Sequence, residues 1–369
     1  MPAFAALQPG AGPIPGEHYL PAEPSALYWG RLPCALDGPV LTVDSGATVT
    51  IDTISHEGVL EDQGRDPIAF FAGHGVPREL VLDDAVALAA SDHPRVLGVD
   101  GPHVVTGPIA VRGAQPGDLL TIEVLELAPR VPYGVISNRH GRGALPDEYP
   151  ADGVTVSVFS AVENGPDGIL VDEAGAMHGT VPFGPDSDRS ARFALAPFLG
   201  LMGVAVASDE RPHSVPPGAF GGNIDIKLLV PGSVLHLPVQ VPGALFYVGD
   251  PHFAQGDGEV ALTAVEASLR ATVRLTVTPA DQAVAAYGQV TGPLVETEEY
   301  LVPTGLSVDL DEAVQNCVRA AIELIHARWG MDRPNALAYL SAATDFDISQ
   351  VVDIVKGVHA KIRKADFDD

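Results

Sequence analysis

The chain has 369 residues, a formal net charge of −27, and 46% hydrophobic against 19% charged residues. That length accommodates two or three domains and a large core, and the excess of negative charge repels nucleic acid and anionic membranes, arguing against both as partners. Two cysteines, Cys34 and Cys317, make no disulfide framework and suit a reducing cytoplasm.

No apolar run approaches the roughly 20 residues that span a bilayer, and the Gly- and Pro-broken start MPAFAALQPGAGPIPGEHY lacks a signal-like basic segment. Glycine and proline are abundant and dispersed, the pattern of many short strands joined by tight turns. Residues 1–39 read as an extended arm draped over the surface, with His18, Tyr19, Tyr28 and Trp29 packing. A β-rich part follows over 40–215. Within it Val40 to Ile54 holds a strand, a Ser-Gly turn and a second strand.

The polar run from Ser55 to Asp66 leaves that second strand, a place where catalytic groups are often mounted. His56 beside Glu57 reads as a proton-transfer pair, as metal ligands, or as part of a solvated loop. His103 lies in a Gly/Pro-bounded loop that can reach a site. Asn138, Arg139, His140 and Arg142 form another loop cluster, whose two arginines could hold a carboxylate product. The apolar run from Pro197 to Val206 should be buried.

Residues 216–303 carry the densest chemistry. Asn223, Asp225, Asp250, His252, Gln255, Asp257 and Glu259 alternate with Gly and Pro. Side chains two apart on a strand share a face, so Asn223 with Asp225, and Asp250 with His252, project together. The glycines of Gln255-Gly-Asp-Gly-Glu259 permit a turn that returns Glu259 toward the His252 strand. From Val265 to Thr278 apolar and polar residues alternate, predicting one buried face with Glu266, Ser268 and Arg270 on the other. Asp, His and Glu with amide oxygens suit Zn²⁺, Mn²⁺ or Fe²⁺, and further carboxylates suit Ca²⁺. Three protein ligands leave a position for water, whose pKa falls toward about 7. Glu259 could take its proton, and Asn223 or Gln255 could hydrogen-bond a carbonyl. The bland alternative has these residues capping turns in a sandwich. G-x-S-x-G, GxGxxG and GxxxxGK[ST] are all absent.

Residues 304–369 turn helical. Asp309-Leu-Asp-Glu312 has capping-box spacing before an apolar stripe, and Pro334 sits in the first turn of a second helix. A third helix is expected from Asp347-Ile-Ser-Gln350 onward, with Val351, Val352, Val355, Val358 and Ile362 on one face. Such amphipathic helices could also supply a subunit contact.

The stretches from Thr106 to Asp118, Pro197 to Ala205, Gly221-Gly-Asn-Ile-Asp225, Gly243-Ala-Leu-Phe246 and above all GDPHFAQGDGE (Gly249 to Glu259) resemble the acetamidase/formamidase family. The resemblance spans roughly residues 40–363. It implies an α+β, mainly β fold, with a barrel- or sandwich-like core and a C-terminal α/β helical portion. It also implies hydrolysis of a C–N bond in a small amide with a divalent metal, zinc foremost and calcium the other candidate. Asp225, Asp250 and His252 are then the expected metal ligands. Glu259 is the catalytic acid and base, with His56 and Glu57 beside it, and Asn223, Gln255, His103 and His140 contact substrate. SHEGVLEDQGRDPIAFF and SNRHGRG depart from the family pattern, which raises the expectation of a larger, cyclic amide. The expected state is a homo-oligomer, dimer or higher. A non-enzymatic calcium-binding β sandwich is the competing reading.

Overall fold

Alternating apolar residues and frequent turn residues translate into antiparallel sheets. The computed structural model describes residues 4–165, 168–185 and 187–367, so the ends of the expected arm and C-terminal part lie outside it. The strand Leu269–Thr278 pairs antiparallel with Ala47–Asp52 on one side and Leu119–Pro129 on the other, inside a nine-stranded sheet. That sheet continues through Val234–Pro238, Leu294–Glu296 and Tyr300–Ser307 to Lys356–Arg363 and Asp345–Gln350 at its far edge.

A six-stranded sheet contains, in order, Gly221–Asn223, Phe198–Val204, Phe246–His252, Val104–Val111 and Leu27–Trp29, with Leu41–Val43 also paired to Val104–Val111. The two sheets share one core. Val49, Ile51, Ile122, Val273 and Leu275 of the first sheet pack in the same buried cluster as Phe198, Met202, Phe246 and Val248 of the second. The predicted apolar run from Pro197 is therefore a central strand buried on both faces. Its burial removes several hundred Å² of apolar surface from water, at about 25 cal/mol per Å². A four-stranded sheet ending in Tyr133–Arg139 lies beside them, and among the described residues no sheet closes into a barrel.

Two expectations fail here for identifiable reasons. The face of Leu269–Thr278 expected to meet water is covered: Glu266, Ser268, Arg270 and Thr272 are all buried. The N-terminal arm lies over it, clamped by two guanidiniums. Arg130 Nε donates to the Leu7 carbonyl at 2.9 Å, and Arg270 Nη2 to that of Gln8 at 3.1 Å. Asp52 and Asp84 balance those charges, Asp52 by accepting from Arg270 Nε at 2.6 Å and Asp84 as an ion pair with Oδ2 2.8 Å from Arg130 Nη1. The third C-terminal helix is instead a hairpin, with Asp345–Gln350 paired to Lys356–Arg363. Its run of Val and Ile is β-branched, which costs helix and favours strand, and Val358, Ala360 and Ile362 bury at a spacing of two. The other two helices form as predicted. Asp309 Oδ1 accepts from the Glu312 N–H at 2.9 Å to cap Leu310–Trp329, and Arg333–Ala343 carries Pro334 in its first turn.

Glu296 ties the core sheet to the C-terminal part. It meets His236 Nε2 at 3.6 Å, Lys364 Nζ at 2.7 Å and the Tyr287 hydroxyl at 3.1 Å. The His236 contact first, then Lys364, hold its carboxyl down to about 2. A depressed carboxylate stabilises the fold above its unfolded value and loses that contribution as pH falls toward its folded value. Glu296→Gln is expected to lower the urea midpoint at pH 7, and the deficit relative to wild type should shrink by more than about half by pH 3. A deficit constant across that range would remove the ion pairs as its cause.

Candidate active site

Each donor arrives from a different strand end or turn. Phe246–His252 runs between Phe198–Val204 and Val104–Val111, which places Asp250 and His252 deep in the six-stranded sheet. Both project to one side, with His252 Nε2 3.0 Å from Asp250 Oδ2. Asp225 follows the short strand Gly221–Asn223, and Glu259 ends the glycine-framed turn. Asp225, Asp250 and Glu259 all take positive φ, at 48°, 48° and 46°. Such left-handed backbone costs side-chain-bearing residues about 1–3 kcal/mol each and clusters at functional sites. His56 stands just beyond the strand Ala47–Asp52, its Nδ1 3.4 Å from Asp250 Oδ1.

Gly200 makes room for this convergence. A methyl at its Cα would lie 2.6 Å from His252 Cε1 and 2.9 Å from Asp250 Oδ2, and closer still to Asp225 Oδ1.

Two site residues escape the sequence reading. Glu266, assigned there to a solvent face, has Oε1 3.0 Å from His252 Nε2 and Oε2 3.8 Å from His56 Nδ1. It is the sole acid in the Val265–Thr278 alternation, and that was its available signal. Asp353, assigned to a helix, sits buried at the tip of the C-terminal hairpin and lines the same pocket as Glu259 and Asp250.

These buried acids shape one another's ionisation. Burial first, then neighbouring carboxylates, raise Asp225 and Glu259 well above their ordinary values and bring Asp353 to about 7. Burial opposes ionisation of Asp250 too, but His252 holds it low. Burial disfavours the imidazolium of His252, yet Glu266 and Asp250 outweigh it and raise the group; His56, facing Glu266, Asp250 and Glu57, rises to about 10. His103, whose Nδ1 bonds Ser214 Oγ at 3.0 Å, is pushed down by burial to about 4 and stays neutral.

The donor set fits a divalent cation. Three groups bring ligand atoms within 4.8 Å of one another: His56, His103 and Asp250; Asp225, His252 and Glu259; Asp250, His252 and Glu266. Among the described residues both Asp225 oxygens, Asp250 Oδ1, Glu259 Oε2, Glu266 Oε2, His252 Nδ1 and His56 Nδ1 are buried without a hydrogen-bond partner. Buried acceptors without a donor are costly, and a cation would satisfy several together.

Asp250, Glu259 and Glu266 line a pocket of about 300 Å³ together with His56, His103, Asn223 and Asp353, while Asp225 and His252 lie outside its lining. Gln255 and His140 are not in its lining. Gln255 Nε2 donates to the Asp225 carbonyl at 2.9 Å and that of Ser349 at 3.1 Å, bracing the Asp225 backbone. His140 Nδ1 meets the Pro150 carbonyl at 3.1 Å. Glu57 lies behind His56, Oε1 3.3 Å from Nε2, and accepts from Ser137 Oγ at 2.6 Å, so it orients the imidazole. A larger open groove, about 990 Å³, runs past Lys227, Tyr300 and Trp329 but contains none of the clustered acids or imidazoles.

The sequence profile of the Acetamidase/Formamidase family matches residues 89–209 and 188–363. This chain belongs to that family. It is 30% identical over 304 residues to the formamidase of Methylophilus methylotrophus, covering 68% of this chain and 74% of that protein. It is also 30% identical over 300 residues to the acetamidase of Mycolicibacterium smegmatis, covering 65% and 73% respectively. The crystal structure of an acetamidase from Bacillus halodurans superposes with a TM-score of 0.69 at 24% identity, covering 95% of this chain and 98% of that one, and shares the fold. The enzyme is a hydrolase of C–N bonds other than peptide bonds, acting on amides.

Gly200→Ala is expected to push Asp225 and His252 apart and cut amide hydrolysis about 100-fold, the scale of a 1 Å misplacement. Ammonia release measured beside a thermal melt checks it; wild-type turnover in a folded variant would show that the crowding at Gly200 is immaterial.

Proposed function

We propose that the enzyme hydrolyses a small linear or cyclic amide to a carboxylate plus ammonia or an amine, at the pocket end where Asp225, Asp250 and His252 would hold a divalent cation, zinc first. The observation that carries this reading is the set of buried, unpartnered oxygens and nitrogens gathered around His252. When bound, such an ion supplies water of lowered pKa, toward about 7. The protein's own groups supply the rest. Glu259 faces the pocket with Oε2 unpartnered. It can take a proton from the attacking water as the new C–O bond forms, and then return that proton to the nitrogen as the C–N bond breaks. The Asn223 carboxamide lines the same pocket, with buried Oδ1 unpartnered, and can accept a substrate N–H while its own N–H meets the carbonyl oxygen. His56, oriented by Glu57, and His103, oriented by Ser214, steady Asp250 from the other side.

The histidines argue against the purely calcium-binding module, since imidazole is a poor calcium ligand. Both cysteines are buried and free, which supports a reducing, cytoplasmic setting, and no helix among the described residues is long and apolar enough to cross a membrane. A homo-oligomer completes the reading.

Dialysis against a chelator is expected to abolish ammonia release from amides and lower the melting temperature, with zinc restoring both. Full turnover in protein shown by elemental analysis to be metal-free would end the metal part of the proposal. Glu259→Gln should lose about 10²–10⁴-fold in turnover while still melting cooperatively. Retained rates would take Glu259 out of the proton chemistry.

A further inference from the structure

The pocket lining carries one charge that nothing among the described residues matches. We propose that the preferred amides bear a carboxylate at the end remote from the scissile bond, held there by Arg142; this rests on the amide-hydrolysing reading of the His/carboxylate cluster.

The acids around the mouth are already committed. Glu61 pairs with Arg95. Asp62 accepts from Arg139 Nε at 2.7 Å, and Asp100 from Arg31 Nε at 2.6 Å and from the Val96 N–H at 2.7 Å. Arg139 is committed as well, its Nη2 lying 3.6 Å from Glu57 Oε1. Of the two arginines in the 138–142 loop, only Arg142 is left. It lines the pocket, is exposed, and among the described residues its guanidinium has no hydrogen-bond or ion-pair partner. A lone positive group is notable on a chain of net charge −27.

An exposed arginine is ordinarily just solvated, but this one is carried on a fixed loop. Asn138 Nδ2 donates to the Ala261 carbonyl at 2.6 Å, and the Ala144 N–H to that of Val260 at 2.9 Å. Between them Gly143 takes φ 76°, and a methyl there would lie 3.2 Å from both the Val260 and Ala261 carbonyls. The backbone flanking Arg142 is thus tied to the segment directly after Glu259, so the guanidinium and the site carboxylate share one frame. His213 stands on the same mouth, its Nδ1 accepting from the Val215 N–H at 3.1 Å. The neutral ring therefore carries its proton on Nε2, a second donor for a carboxylate. Burial, with Arg31 and Arg142 nearby, keeps that ring uncharged.

The same lining includes the apolar side chains of Leu60, Leu97, Leu262, Val352 and Ile354, of which Leu97 and Ile354 are exposed. The pocket's volume of about 300 Å³ is far more than formamide or acetamide fills, a single water taking about 30 Å³. A guanidinium, hydrocarbon and hydrolytic groups lining one pocket match an ω-monoamide of an aliphatic dicarboxylic acid. Its hydrolysis adds water across the C–N bond and gives the dicarboxylate and ammonia, with no change in oxidation state.

The test compares adipic acid monoamide with neutral hexanamide in zinc-loaded enzyme, wild type against Arg142→Ala and Arg142→Glu. Wild type should favour the anionic amide in kcat/KM, and Arg142→Ala should reduce that preference about 10–100-fold, the worth of a charge-assisted hydrogen bond. Arg142→Glu should invert it, and Arg142→Lys should keep part of it. Hexanamide hydrolysed as well as the monoamide, or a preference untouched by Arg142→Ala, would overturn the inference while leaving amide hydrolysis standing. Calorimetric titration of adipate into wild type and Arg142→Ala decides the matter independently of turnover. Weakening of tenfold or more in the variant supports the carboxylate site, and equal affinity overturns it.

Discussion

Repulsion among buried carboxylates is the constraint around which this enzyme is built. Asp225, Asp250, Glu259, Glu266 and Asp353 converge on His252 where water cannot screen them, and like charges a few ångströms apart cannot all ionise there. The chain offsets the repulsion with the imidazoles of His252 and His56 and with protons on the carboxyls that burial and neighbours raise. A divalent cation among the unpartnered oxygens would offset it more completely. Nothing in local propensity favours such a cluster, so the surrounding sheets must impose it.

They do so by anchoring every donor twice. Asp250 and His252 lie on a strand paired along both edges. The turn that carries Glu259 is stitched to the C-terminal hairpin, the Gly258 N–H donating to the Ser349 carbonyl and the Val351 N–H to that of Gly258, both at 3.1 Å. That stitching delivers Asp353 and couples the C-terminal helices to the chemistry. It also holds the left-handed backbone of Asp225, Asp250 and Glu259, which isolated segments would relax. The N-terminal arm acts on the opposite side. Through Arg130 and Arg270 it covers what would otherwise be a wet sheet face, and the strand leading from Glu266 becomes rigid on both sides.

The acidic interior and the mouth place opposite electrostatic demands on a substrate. The pocket lining combines the clustered acids with one guanidinium, that of Arg142, which has no partner among the described residues, and with several apolar side chains. The loops that depart from the family pattern, around His56 and around His140, contribute Glu61, Asp62, Arg139 and Arg142 to that mouth.

The sequence by itself determined the mainly β architecture and the capped helix after Asp309. It also pointed to Asn223, Asp225, Asp250, His252 and Glu259 as candidates, because strand periodicity and glycine-framed turns are local. Only the tertiary structure decided which other residues join them. Glu266 looked solvated because alternation marks a polar face without saying what covers it. Asp353 looked helical because its valine-rich surroundings fit both periods, and pairing across the hairpin chose the strand. Gln255 and His140 carry the right atoms but turn to backbone carbonyls, and Arg139 is spent on Asp62 while Arg142 is not. These outcomes depend on partners brought from distant parts of the chain, and no local pattern encodes which partner arrives.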